Sequence, residues 1–78
     1  MSDLVDQVKN VLIQELNIES IEDTAKQEDY PEWDSLTYLR VIVAIESTFG
    51  IEITSENINK FNSVESIVNE IQKRHNHR

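Results

Sequence analysis

The stretch DSLTYLRVIVAIESTFG, residues 34–50, carries the clearest structural signal in this chain. Asp34 or Ser35 supplies a cap at its start, because a short oxygen-bearing side chain accepts hydrogen bonds from the free N–H groups of a first helical turn. Leu36, Leu39 and Val43 then recur at three- and four-residue steps. Ile42, Ile45 and Phe49 widen that stripe, the pattern of a helix with one face in a core. Gly50, the only glycine, follows Phe49 where a left-handed C-terminal cap needs a residue without Cβ. The reading is a helix with Leu36 anchoring its start in the interior.

Working back from this helix, Glu28-Asp29-Tyr30-Pro31-Glu32 is polar, and Pro31 pushes Tyr30 towards an extended backbone. No helical period survives between Asn17 and Asp34, where Ile18 and Ile21 are isolated anchors. A connection of that length is uncommon in a compact domain and is often functional. Before it, Val5, Val8, Leu12 and Leu16 mark a first helix, expected to be capped by Ser2 with Asp3 in its first turn, and to end at Asn17. After Gly50, Ile51-Glu52-Ile53 reads as an extended loop with its isoleucines turned inward. Ser55 is expected to cap a short third helix with Glu56 in its first turn and Ile58 and Phe61 inward. Ser63 caps a fourth, in which Val64, Ile67, Val68 and Ile71 keep the helical period, and Lys73 and Arg74 complement its negative end. The expected fold is all-α: an irregular four-helix bundle with a long loop between the first two helices and a short third helix. With 78 residues, it is expected to be a single domain over 1–78.

Charge and composition exclude several functions. Residues 1–72 hold all 15 acids and only 4 of the 7 bases, a net −11. Such a surface repels nucleic acid and anionic membranes and attracts basic proteins. No apolar run approaches the roughly 18 residues of a membrane span, and the acidic start is unlike a signal peptide. A cytoplasmic location is the expectation. There is no Cys, so disulfides, thiolate metal sites and cysteine nucleophiles are ruled out. One glycine cannot build a phosphate loop. His75 and His77 lie near the C-terminus, far in sequence from any triad partner and at a spacing that does not share a helical face. Residues 23–34 lack the central glycine of a calcium loop. Enzymatic activity is not expected.

What remains is Trp33-Asp34-Ser35-Leu36 at the junction of the long loop and the strongest helix. Taken alone it is a helix cap. Together with Ala44-Ile45-Glu46, Phe49, Ile51-Glu52-Ile53, the segment around Glu56, and Ser63-Val64 with Ile67 to Ile71, it resembles the acyl carrier protein family. The resemblance runs without a gap from about Trp33 to Ile71 and more loosely over the first helix. It implies that Ser35 is esterified by 4′-phosphopantetheine, taken from coenzyme A by a separate Mg²⁺-dependent phosphopantetheinyl transferase. That enzyme supplies the activation that Ser35, with no basic neighbour, lacks. The resemblance also implies that Asp34 contacts the transferase and its metal, with Leu36 beside them. Acyl groups would be held as thioesters and passed between loading and processing enzymes, with cargo against Val43, Ile58 and Phe61. A monomer is expected.

The sequence departs from the family at places that bear on partners. Glu32 stands where many carriers have glycine, and Trp33 is bulkier than the usual residue; it is expected to pack over the loop or to contact a partner. Where fatty acid carriers present a strip of acids, this chain has Thr37, Arg40 and Ser47, with Glu46 and Glu56 remaining. Arg40 either disfavours partners built for an acidic strip or pairs with a nearby acid. The first alternative implies a carrier for a specialised pathway: polyketide, nonribosomal peptide, fatty acyl or cell-surface modification. A reading from another class is an unmodified four-helix interaction module that binds a basic protein partner.

Overall fold

A computed structural model describes residues 3–76. Three α-helices form its frame: α1 (Leu4–Leu16), α2 (Ser35–Phe49) and α3 (Val64–Asn76). Two single 3₁₀ turns, Gln27–Asp29 and Ile58–Lys60, lie in the connections. The expected short third helix is therefore a turn, and the four-helix bundle is corrected to three helices. The reason is local: residues 51–54 form no helix, and the short run between Thr54 and Ser63 bends through a turn into one 3₁₀ turn without propagating into a helix.

Each helix begins on a side-chain cap. Asp3, and not Ser2, caps α1 by accepting the Asp6 N–H at 3.0 Å; Ser2 itself lies outside the described residues. Ser63 caps α3, accepting the Ser66 N–H at 3.1 Å. α1 ends at Asn17 and α2 at Gly50, both in the left-handed region with φ of 58° and 65°. An asparagine tolerates that conformation and a glycine adopts it without penalty.

α1 lies against both α2 and α3. Val8, Leu12 and Leu16 from α1, Val41, Ile42 and Ile45 from α2, and Val64, Ile67, Val68 and Ile71 from α3 share one core. Between α1 and α2 the long connection is pinned to that core by the buried Ile21, Ala25 and Trp33, with half-buried Ile18 packed beside them. It is also stitched to the start of α3. The Gln27 N–H donates to the Asn62 carbonyl at 2.8 Å and the Val64 N–H to the Ala25 carbonyl at 3.0 Å, on either side of an isolated antiparallel bridge between Lys26 and Ser63. Lys9 on α1 adds an ion pair to Asp23 at 2.7 Å.

Beyond α2, Glu46 organises the extended segment. Its carboxylate accepts the Ile53 N–H at 2.8 Å, while its carbonyl takes the N–H groups of Gly50 and Ile51. Ile51 and Ile53 pack half-buried against the core, as the sequence indicates. On α3, Glu70 is nearly buried and joins Arg74 at 3.0 Å and Lys73 at 3.3 Å. Burial pushes its carboxyl up, but the hydrogen bonds from Arg74 and Lys73 outweigh this and hold it below the usual range. Arg74 also stacks over the Phe61 ring, 5.9 Å from its centroid.

Candidate functional site

The start of α2 is built by Asp34. Its backbone is extended (φ −89°, ψ −173°) and its carboxylate accepts the Thr37 N–H at 2.9 Å, while its carbonyl takes the Tyr38 N–H at 2.7 Å. Hydrogen bonds from Thr37 are the main reason its carboxyl titrates below the ordinary range. Ser35 is thus the first helical residue, with Asp34 as the cap. It is exposed. A primary hydroxyl held on the surface by a rigid helix end is open to an enzyme approaching from outside.

Ser35 also borders a groove of about 540 Å³ between α2 and the 58–60 turn. Gln27, Tyr38, Leu39, Ile58, Asn59 and Asn62 complete its lining. Tyr38 is half-buried in its wall. Its hydroxyl donates to the Ile58 carbonyl and accepts the Phe61 N–H at 3.3 Å, joining α2 to the chain ahead of α3. Partial burial raises its pKa, with the Phe61 hydrogen bond acting the other way.

The residues singled out from sequence fall into two groups. Asp34, Ser35 and Leu36 share the exposed start of α2, where Thr37 is half-buried. Leu36 does not anchor the core. It is 69 % exposed, and Leu39 and Val43, read as core and cargo-facing, are 52 % and 63 % exposed. Ile42 and Ile45 of the expected stripe are buried with Val41, flanked by Tyr38, Ala44 and Phe49. Trp33 is only 2 % exposed, so it packs in the interior and offers no surface to a partner. Arg40 lies 3.8 Å from Glu15 of α1, a loose and largely exposed pair. Glu46 is half-buried and engaged with Ile53, and Glu56 is exposed in the turn before Ile58. Phe61 is fully buried in the core, and Ile58 alone of the expected cargo contacts lines the groove. Sequence reading missed Tyr38, Gln27, Asn59 and Asn62. A polar-tipped aromatic next to a helix start was the one available signal for Tyr38.

Comparison with known proteins decides what this helix start belongs to. Residues 6–71 match the family described as "Phosphopantetheine attachment site". The chain belongs to this family. Among phosphopantetheine-attachment proteins it is 33 % identical over 76 residues to the acyl carrier protein of Buchnera aphidicola subsp. Acyrthosiphon pisum (strain Tuc7), covering 95 % of each chain. It is 28 % identical over 75 residues to the acyl carrier protein of Zymomonas mobilis subsp. mobilis, covering 94 % of this chain and 96 % of that one. Members of the family are carriers and not catalysts, and their cofactor is a covalently attached 4′-phosphopantetheine. The residues present fit that group: an exposed serine hydroxyl, the chemistry a phosphodiester bond requires, stands beside an open groove. Among the described residues no helix is long and apolar enough to cross a membrane.

Proposed function

We propose that the chain is an acyl carrier domain over 1–78 that bears 4′-phosphopantetheine on Ser35. The observation that carries this is the exposed Ser35 hydroxyl at the first position of α2. The bound group supplies a thiol on which an acyl chain is held as a thioester, which the cysteine-free chain lacks. The chain's own residues position it. Asp34 fixes the helix end, and the Thr37 hydrogen bonds that lower its pKa favour the carboxylate form that a transferase-bound metal would meet. A tether at one point raises the effective concentration of cargo at each docked enzyme.

Leu36, Leu39 and Val43 form an exposed apolar strip on α2 that starts next to Ser35. This strip, with Thr37 and Arg40 beside it and Glu46 and Glu56 nearby, is our proposed docking face for the phosphopantetheinyl transferase and for acyl-loading and processing enzymes. Its sparse acids and the Arg40 charge support a specialised pathway, of the polyketide, nonribosomal peptide, fatty acyl or cell-surface kind, over a partner that reads a dense acidic strip. The proposed setting is a cytoplasmic monomer.

Intact mass after incubation with coenzyme A, Mg²⁺ and a broad-specificity transferase tests the reading. A gain of one phosphopantetheine in the parent and none in Ser35→Ala is expected. No gain with several transferases would overturn it in favour of the unmodified interaction module.

A further inference from the structure

The groove beside Ser35 is open to solvent and has walls of mixed chemistry. Gln27, Asn59 and Asn62 are among its lining residues, and a carboxamide both donates and accepts hydrogen bonds; the Asn62 oxygen already takes the Ser66 hydroxyl at 3.4 Å. Leu39 and Ile58 add apolar surface. The Tyr38 hydroxyl bridges the Ile58 carbonyl and the Phe61 N–H across the seam between α2 and the turn. On the core side Val41, Ile45 and Phe61 are fully buried and held in one packed cluster. For a hydrocarbon chain to enter between α2 and this turn, Tyr38 must give way, and the part-buried Ile58 carbonyl and Phe61 N–H lose the hydroxyl that joins them. A polar group left without its partner costs more the less water can reach it.

We infer that Tyr38 is a specificity-determining latch: it keeps long saturated acyl chains out of the interior, so that the groove accepts short acyl groups bearing a hydrogen-bonding substituent. The inference rests on Ser35 as the attachment point and names the class of cargo that the site favours. A short hydroxyacyl, ketoacyl or aminoacyl group satisfies the carboxamides while its few carbons lie on Leu39 and Ile58. A long alkyl chain leaves those carboxamides unsatisfied and meets the hydrogen-bonded Tyr38 phenol.

The test compares the protein loaded at Ser35 with octanoyl or with 3-hydroxybutyryl phosphopantetheine, each read by amide and carboxamide NMR against the unacylated form. The octanoyl group is expected to leave the Ile45 and Phe61 amides in place. The hydroxybutyryl group is expected to shift the side-chain amides of Gln27, Asn59 and Asn62. In Tyr38→Phe, octanoyl is expected to move Ile45 and Phe61. Movement of those core amides by octanoyl in the parent overturns the latch, as does an unchanged pattern in a folded Tyr38→Phe. Hydroxybutyryl that leaves all three carboxamides unshifted overturns the cargo class. Should Tyr38→Phe not fold, the parent comparison alone decides.

If Ser35 accepts no phosphopantetheine, the carrier reading fails separately. The groove is then tested in Ser35→Cys, the only thiol in the chain, alkylated with an octyl or a hydroxypropyl haloacetamide and read by the same resonances.

Discussion

Asp34 is a cap by geometry and an acid by charge, and the two roles separate under titration. Hydrogen bonds from Thr37 lower its pKa in the folded chain, so its contribution is fully present above the ordinary carboxylate range. That contribution is lost as pH falls through the depressed value. Asp34→Asn retains a good capping side chain but no charge. Its acid unfolding is expected to depend less on pH than the parent's, measured as urea midpoints from neutral pH downwards. Glu70 acts in the same direction through Arg74 and Lys73 and remains in both proteins as the background. Trp33 presents the opposite case, a large side chain whose role is packing. It is 2 % exposed, and its indole N–H is buried without a hydrogen-bond partner. Trp33→Ala is expected to cost about 3–5 kcal/mol by denaturant unfolding. A loss under about 1 kcal/mol would contradict the core role.

At the scale of the element, α2 shows why Ile42 and Ile45 were read correctly as buried while Leu36, Leu39 and Val43 were not. Apolar residues stand at Leu36, Tyr38, Leu39, Val41, Ile42, Val43, Ala44, Ile45 and Phe49, so stripes through Leu36, Leu39 and Val43 and through Val41, Ile42 and Ile45 are both consistent with a helical period. The helix and its two caps were legible; its rotation about its own axis was not. Packing against α1 in the shared core selects the second stripe and leaves the first in water. Replacing Leu36 or Val43 with serine is therefore expected to change stability by no more than about 0.5 kcal/mol. The same variants are expected to lower kcat/KM for transferase modification at least several-fold, since exposed apolar area is lost next to Ser35. The end of the helix makes a separate prediction. A Cβ on Gly50 would meet nothing within 4 Å, so the cost of Gly50→Ala comes from its positive φ alone. About 1–2 kcal/mol is expected. Gly50→Asn should lose less, and paired thermal melts would show the order.

For the whole molecule, charge and connectivity matter more than any single contact. A net charge of −8, with the bases concentrated near the C-terminus, favours encounter with basic enzymes. Association rates with such partners should fall as salt rises from low to physiological strength, while a salt-independent rate would place recognition in the apolar strip of α2. The amino-acid pattern by itself determined the all-helical class, the boundaries of α2, the end of α1 at Asn17, the left-handed end at Gly50, the inward isoleucines after α2 and the Asp34-Ser35 helix start. These features are set by neighbours within a few residues: a cap reaches three positions along the chain, and a left-handed end is decided by one residue. Tertiary structure decided the rest. It turned the expected third helix into a turn and buried Trp33 under the long connection. It bound that connection to α3 through Gln27 and Asn62, rotated α2 to expose Leu36, and brought Tyr38 to Ile58 and Phe61 across 20 and 23 residues of chain. Contacts so distant in sequence leave no periodicity to read, and they exist only once the helices have packed and removed the alternatives from contact with the core.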